Sequence, residues 1–174
     1  ESDSGSTTIS NSTLQSDSGA IYVNAGQGSP AQNSGISIAG STIDAGTGLV
    51  QLSGQAQSGV GVSLGTVNVS GSDVTIIGAG ANIGWDAVDI AGSTLAASGS
   101  VNVSGTGGSV YLSGSTLTAG SSSSVGLNAD NALSIYGTSI SAGSAGMSLG
   151  ATGSGVYVDS STLTTADGPI TITG

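Results

Sequence analysis

The sequence predicts an all-β protein: a right-handed parallel β-helix (β-solenoid) with three short strands per coil and about seven coils. Three observations predict this fold. A motif of about eight residues recurs seven times, bursts of alternating apolar residues mark strands inside each repeat, and Gly-rich joints separate the bursts. Crossovers between parallel strands are right-handed in most proteins, which favours that hand. Residues 1–174 are therefore predicted to form a single β-solenoid domain.

The first strand of each repeat is an apolar-x-apolar segment that runs into a Gly-Ser-Thr turn. Residues 36–43 read Ile-Ser-Ile-Ala-Gly-Ser-Thr-Ile, and close copies occupy 88–95 and 110–117. One copy, which begins at Val62, looks shortened, with Gly65-Thr66-Val67 in place of Gly-Ser-Thr-Leu. The predicted coils start near residues 7, 36, 62, 88, 110, 133 and 156.

The second and third strands of each repeat supply the rest of the predicted core. The second strand contributes one large inward residue per coil, and these residues should stack as Leu14, Ile43, Val67, Leu95, Leu117, Ile140 and Leu163. The third strand is again apolar-x-apolar, as Ile21/Val23, Val50/Leu52, Val74/Ile76, Val101/Val103, Val125/Leu127, Met147/Leu149 and Ile170/Ile172. Stability in such an array comes from neighbouring coils stacking on one another.

The composition excludes several classes of function. Gly, Ser and Thr make up 85 of the 174 residues, and the chain has no Lys, Arg, His or Cys and a net charge of −10. Nucleic-acid binding needs cations that neutralise phosphates, so it is excluded. Disulfides and thiolate metal sites are excluded because the chain has no Cys, and histidine or lysine catalysis is excluded because it has no His or Lys. No apolar run is long enough for a membrane span.

Five residues are candidates for a surface or ligand contact. Trp85, the only Trp, precedes the closest pair of non-terminal carboxylates, Asp86 and Asp89. Tyr111 and Tyr157 share one outward position in their repeats, whereas Tyr22 and Tyr136 sit elsewhere. A Trp beside two carboxylates would suit a carbohydrate, but no cation is present to assist catalysis. The favoured interpretation is a corner at 82–86 with Asp89 on an outer face, and no catalytic residue is predicted.

Metal binding and ice binding are both less favoured than structural roles. The Asp residues occupy non-equivalent positions in the repeats and form no calcium-binding motif, so no metal site and no cofactor are predicted. An outward hydroxyl column should contain Thr13, Thr42, Thr66, Thr94, Thr116, Ser139 and Thr162. Ice-binding solenoids need two regular columns, and the neighbouring one looks mixed, with Gln15, Asp44, Asn68, Ala96 and Thr118. A β-favouring hydroxyl ladder is the preferred interpretation.

The repeat resembles those of the filamentous haemagglutinin family of large secreted bacterial exoproteins. The shared pattern is apolar-x-apolar-x-Gly-Ser-Thr-Leu-x-Ala-Gly followed by apolar-x-apolar, and it runs from Thr7 to Ile172. The resemblance implies export by two-partner secretion and a right-handed β-helical shaft that displays adhesive or toxic modules. It carries over no catalytic residue. The sequence departs from the family pattern in having no Lys or Arg.

The sequence therefore predicts a non-enzymatic, extracellular or cell-surface structural segment of a bacterial adhesin or matrix (biofilm) fibre. The segment 170–174 reads as a complete third strand and 1–6 as a corner, so the two would continue in phase. The predicted partners are adjacent repeats or other copies, stacked end to end as in a filament, and surface glycans are a further candidate. The alternative function is a carbohydrate-binding or polysaccharide-cleaving parallel β-helix.

Overall fold

The computed structural model describes residues 5–26, 34–80 and 84–174, which form three parallel β-sheets. Each sheet has seven strands, and three consecutive strands, one from each sheet, make one coil. The described residues contain no helix, and thus none that could cross a membrane. These features confirm the predicted parallel β-solenoid with three strands per coil.

The three sheets are numbered in the order in which the chain visits them. Sheet 1 contains β1 (Thr7–Ser10), β4 (Ser34–Ala39), β7 (Val60–Gly65), β10 (Asp86–Ala91), β13 (Ser109–Ser113), β16 (Ala132–Tyr136) and β19 (Gly155–Asp159). Sheet 2 contains β2 (Thr13–Gln15), β5 (Thr42–Asp44), β8 (Asn68–Gly71), β11 (Thr94–Ala97), β14 (Thr116–Thr118), β17 (Ser139–Ala142) and β20 (Thr162–Thr165). Sheet 3 contains β3 (Ile21–Ala25), β6 (Val50–Ala56), β9 (Val74–Gly80), β12 (Val101–Thr106), β15 (Ser124–Ala129), β18 (Gly146–Ala151) and β21 (Ile170–Thr173).

The hydrophobic core is a continuous column inside the three sheets. Alternation along each strand places every second side chain inside, so equivalent residues of successive coils stack. In sheet 1 the register stacks Thr7, Ile36, Val62, Val88, Val110, Leu133 and Val156. Sheet 3 stacks Ile21, Val50, Val74, Val101, Val125, Met147 and Ile170. In the interior coils these side chains are almost fully buried.

The third coil is not shortened, which corrects the sequence alignment there. Val69, not Val67, pairs with Ile43 and Leu95 in sheet 2. Asn68 replaces Thr66 in the outward hydroxyl column, and Ser70 replaces Asn68 in the column beside it. The sequence alignment is wrong at this point because Thr66 occupies the turn before the strand and not the strand itself.

Thr66 belongs to a column of left-handed turn residues between sheets 1 and 2, which we call the αL column. Its φ is 56°, close to the 57° of Gly40 and the 58° of Gly92 at the equivalent positions. The whole αL column has positive φ, and its members are Asn11, Gly40, Thr66, Gly92, Gly114, Gly137 and Ser160. A left-handed residue reverses the direction of the chain without a long loop, and glycine adopts it at least steric cost.

A buried hydroxyl column follows directly after the αL column and links the coils. We call it the serine column, and it consists of Ser12, Ser41, Ser93, Ser115, Thr138 and Ser161, with Val67 at the equivalent position of the third coil. Its members in the interior coils, Ser41, Ser93, Ser115 and Thr138, are buried. The Ser115 hydroxyl donates to the Ser113 carbonyl (2.9 Å) and accepts from the Ser93 backbone N–H (3.2 Å). Thr138 repeats the pattern one coil later, accepting from the Ser115 N–H (3.3 Å). The hydroxyls therefore satisfy backbone N–H groups that the corner removes from the ladders.

Small residues occupy the corner from sheet 3 to the next strand of sheet 1. A Cβ on Gly78 would collide with the carbonyl oxygen of Ala87, and one on Gly54 would collide with that of Gly61. Gly78 pairs with Gly54 and Gly105 in the register of sheet 3. The close approach of two sheets thus requires a residue without a side chain at this point of the central coils.

Candidate functional site

The side chains on the outer face of sheet 1 change from small hydroxyl residues to acidic and aromatic residues halfway along the solenoid. One outward column runs through Thr8, Ser37, Ser63, Asp89, Tyr111, Ser134 and Tyr157. Its first three members are small hydroxyl residues, and from β10 onward it carries a carboxylate and two tyrosines. The register thereby confirms that Tyr111 and Tyr157 share a column, with Asp89 directly beside Tyr111.

Trp85 and Asp86 are positioned by a bulge at the start of β10. The pairing with β13 shifts between Asp86 and Val88, which leaves Ala87 as the additional, buried residue. The Trp85 carbonyl accepts a hydrogen bond from the Ser109 N–H (3.2 Å), and its side chain is 51% exposed. The bulge therefore holds Trp85 at the rim of sheet 1 with its ring in solvent. Of the predicted corner at 82–86, residues 82 and 83 lie outside the described part of the chain.

The two carboxylates sit in an unfavourable environment for a charge. Burial raises the pKa of Asp89, and its Oδ1 atom is buried without a hydrogen-bond partner among the described residues. Burial also raises the pKa of Asp86, and the negative charge of Asp89 raises it further. Both shifts follow because low polarity and a like charge disfavour the ionised form. Both side chains are partly exposed, so their accessible carboxyl oxygens can accept hydrogen bonds from a ligand.

Tyr136 belongs to the same surface, although the sequence placed it elsewhere. The rings of Tyr111 and Tyr136 lie 5.6 Å apart between centroids and are tilted by 39°. Tyr136 is two residues beyond Ser134 on β16, so it lies diagonally across from Tyr111 on the neighbouring strand. Tyr157 donates its hydroxyl to the Ser154 carbonyl (2.9 Å), which fixes the ring while leaving it 51% exposed. The diagonal spacing is the signal that the sequence alignment could have used.

The aromatic–acidic surface is the name used here for Trp85, Asp86, Asp89, Tyr111, Tyr136 and Tyr157. It contains the only Trp and three of the four Tyr of the chain, and all six residues lie on coils 4 to 7 of sheet 1 or at its rim. Most protein surfaces expose aromatic side chains singly, whereas here most of the aromatic residues of the chain share one face. Aromatic faces next to hydrogen-bond acceptors can bind a ligand that has both apolar and hydroxyl faces.

Carboxylates are the only charged side chains at this surface. Within the described residues no group of three or more carboxylates comes together as a metal site would require. The chain has no His, Cys, Lys or Arg to act as a base, a nucleophile partner or an anion-stabilising cation.

Two concave surfaces lie on sheet 3, away from the aromatic–acidic surface. Two open grooves, of about 280 and 310 Å³, lie on its outer face near the C-terminal coils. They form where Gly126 and Gly150 interrupt the outward columns, and the side chains of Asn102 and Asn128 lean over these glycines. Neither groove contains an aromatic residue.

Comparisons with protein-family models, with curated proteins and with solved structures found no match to this chain.

Proposed function

We propose that this chain is a structural shaft segment of a bacterial surface adhesin or matrix fibre that works outside the cell. The observation that carries the proposal is the uninterrupted stack of seven coils around one hydrophobic core. Such a rod provides reach and stiffness to whatever it displays. The resemblance of its repeat to filamentous haemagglutinin shafts supports the same function.

The stiffness follows from how the coils are joined. Every interior strand forms ladders with the coil before it and the coil after it. Inside, the apolar columns extend from Val23 to Ala151, and the serine column adds side-chain bonds between coils at one corner. Bending the rod would stretch the ladders on its outer side and compress the packed core on its inner side, so we expect it to move as one rigid body.

The chemistry of the surface suits an exposed location. The chain lacks Lys and Arg, so it offers no cleavage site to proteases of trypsin specificity. A net charge of −10 with no cation also keeps neighbouring rods apart and soluble. These properties support the proposed extracellular or cell-surface location and a role without enzymatic activity.

The terminal strands support the proposal that further coils stack on this segment. In sheets 1, 2 and 3 the last strands, β19, β20 and β21, pair on one side only. Val158, Ile170 and Ile172 on this last coil are 40%, 43% and 53% exposed, although their equivalents in the interior coils are buried. Adjacent repeats or a second copy in head-to-tail contact would cover them and complete the ladders.

Electron microscopy of the purified chain tests the stacking. We expect rods that lengthen with concentration, because each added coil pairs three strands and covers apolar side chains. Ile172→Lys places a charge over the end of the core and should stop growth, whereas Thr171→Lys places the same charge on the outer face of sheet 3 and should not. Uniform compact monomers of the unmodified chain at high concentration would contradict self-stacking.

Carbohydrate binding is the second candidate function, and the aromatic–acidic surface favours it. Sugar rings have an apolar face that stacks on aromatic side chains and hydroxyls that donate to carboxylates. Successive coils are about 4.8 Å apart, close to the length that one sugar adds to an extended glycan. We propose that the ligand would be a neutral glycan lying across coils 4 to 7, because the acidic chain repels anionic polysaccharides.

A glycan array followed by titration with soluble polysaccharides tests this candidate. Tyr157→Ala and Asp89→Asn should each weaken binding of a neutral glycan, since one removes a stacking ring and the other an acceptor charge. Tyr22→Ala is the matched control, because Tyr22 is equally exposed on sheet 3 of the first coil. Equal losses of glycan affinity in Tyr157→Ala and Tyr22→Ala would contradict binding at the aromatic–acidic surface. Release of sugar fragments that disappears in Asp86→Asn and Asp89→Asn would instead indicate a polysaccharide-cleaving enzyme.

A further inference from the structure

Sheet 2 carries a regular array of hydroxyl side chains on coils 4 to 7. Two outward positions of each strand contribute, and they lie two residues apart, on either side of an inward Leu or Ile. The array consists of Thr94, Ala96, Thr116, Thr118, Ser139, Ser141, Thr162 and Thr164, and it is called the threonine array below. The pairing of these four strands has no register shift.

The second outward column of sheet 2, which the sequence predicts to be mixed in residue type, is irregular in the first coils. In coils 1 to 3 that column contains Gln15, Asp44 and Ser70, and the Ser70 hydroxyl donates to Asp44 Oδ1 (2.9 Å). From coil 5 onward both columns are hydroxyl residues without exception. The corrected register thus separates an irregular half of sheet 2 from a regular half.

The threonine array is a rigid two-dimensional grid. Neighbouring coils repeat at about 4.8 Å, and two residues along a parallel strand span about 6.6 Å. Threonine is stiff at χ1, so its hydroxyl and methyl groups keep nearly fixed positions on a strand. Five of the eight grid points are threonines, each with one methyl and one hydroxyl, and the points repeat at a constant interval in two directions.

The hydroxyls of the grid are available to solvent. Among the hydrogen bonds of the described residues, none uses the side-chain oxygens of Thr116, Thr118 or Thr162, which are exposed. The serine column behaves in the opposite way, since its hydroxyls are buried and bonded to backbone groups. Thr164 is the exception in the grid, since its hydroxyl donates to the Ile140 carbonyl (3.4 Å). The fold thus uses the serine column to satisfy its own backbone and leaves most of the grid hydroxyls facing water.

We propose that the threonine array binds ice. Its ligand must be a lattice of neutral donors and acceptors with repeats close to those of the grid, and oxygen atoms on the surface planes of hexagonal ice form such a lattice. The strands of the array carry no charged residue that would disturb ordered water. The methyl groups exclude disordered water, and the hydroxyls bond to the ordered layer that remains. This activity is separate from the shaft function and from the aromatic–acidic surface.

Thermal hysteresis, the shape of growing ice crystals and partition into a slowly frozen phase test the proposal. We expect the unmodified chain to facet ice crystals and to enter the ice. Thr118→Lys, which puts a long charged side chain in the middle of the grid, should abolish most of the hysteresis. Thr171→Lys makes the same substitution on sheet 3 and should retain it. Circular dichroism of each variant establishes that the fold is intact.

A gain of activity gives a second measurement. Ala96, Ser139 and Ser141 are the grid points that lack a threonine methyl or hydroxyl, so the triple variant Ala96→Thr, Ser139→Thr, Ser141→Thr should increase hysteresis. Round, unfaceted ice crystals with the unmodified chain would overturn the proposal. So would equal losses in Thr118→Lys and Thr171→Lys, which would show adsorption without a defined face.

Discussion

Seven equivalent residues turn the chain from sheet 1 to sheet 2 in the left-handed region, and three of them are not glycine. Asn11 and Ser160 are small polar residues in the end coils, but Thr66 is β-branched and lies in the third coil. A left-handed conformation costs a residue with a Cβ about 1–2 kcal/mol, since Cβ crowds the following carbonyl. Thr66 is therefore a point of local strain that the surrounding ladders hold in place.

Thr66→Gly should stabilise the fold. Relief of the left-handed conformation outweighs the additional chain entropy of glycine, so the free energy of unfolding should rise by up to about 1 kcal/mol. Chemical denaturation monitored by circular dichroism measures it. Thr75→Gly is the matched control on strand β9, where φ is not positive, and it should lower stability instead. A loss of stability in Thr66→Gly as large as that in Thr75→Gly would show that the turn carries no strain.

Asp89 should destabilise the fold at neutral pH. Its folded pKa is raised by burial, so the folded protein binds the proton more tightly than the unfolded chain does. Stability is then highest below the unfolded carboxyl pKa of about 3.9 and falls as pH rises through the folded pKa. Asp89→Asn removes this cost and also removes the like charge that raises the pKa of Asp86.

Melting temperatures across pH 3 to 7 measure this effect. Asp89→Asn should melt above the unmodified chain at pH 7, and the difference should shrink as pH falls toward 3. Ser134→Asn, in the same outward column, has no titrating group and should show a difference independent of pH. An Asp89→Asn difference that stays constant with pH would contradict a raised pKa for Asp89.

At the scale of the elements, the corner from sheet 3 to sheet 1 is tightly constrained in the central coils. Strands β6 and β9 are seven residues long and run on past the core to meet the next strand of sheet 1. Gly78 lies at that meeting point, against the Ala87 carbonyl. The close contact makes the coil compact, and it leaves this position with no tolerance for a side chain.

Gly78→Ala should be strongly destabilising because the added Cβ forces two backbones apart. Overpacking of this kind costs about 1–3 kcal/mol. Gly65→Ala is the control, since nothing lies within 4 Å of a Cβ there and its register partners, Ala39 and Ala91, are already alanine. Denaturation midpoints of the two variants measure the contrast. Similar midpoints for both would show that sheet 3 can move away from sheet 1 at low cost.

The sequence predicted the elements well wherever the apolar alternation is strong. Ile36 and Ile38, or Val101 and Val103, mark inward positions without ambiguity because period-2 alternation has one buried face. The predicted alignment of the third coil in sheet 2 is wrong because a non-glycine residue, Thr66, occupies the left-handed turn. No local sequence pattern signals that conformation for threonine. Tyr136 does lie in a different column from Tyr111, as the sequence predicts, but grouping the tyrosines by column left out the diagonal contact between these two rings.

At the scale of the whole molecule, the negative charge of the chain, which no cationic side chain balances, should govern lateral contact between rods. The chain carries −10 at neutral pH, so lateral contact costs repulsion that no ion pair offsets. The outer faces are otherwise polar and regular, which would allow close approach once the charge is removed. We therefore expect lateral association to depend on pH and on ionic strength.

Light scattering during acid titration tests this expectation. Scattering should increase as pH falls through about 4, where carboxyl groups become neutral, and micrographs should show bundles. Added salt at neutral pH should have a weaker effect in the same direction, since it screens the charges without removing them. A flat scattering profile through the titration would indicate that charge does not control lateral contact.

The serine column gives the rod a direction. From Ser41 onward each of its hydroxyls donates within its own coil and accepts from the coil before it, as Ser115 does. Every strand of all three sheets also points the same way around the axis. The two faces of any coil are therefore chemically unlike, as are the two ends of a polar cytoskeletal filament. An assembly built from such coils would have a distinct leading and trailing end. If one end were held at a surface, every rod in the layer would stand with the same polarity.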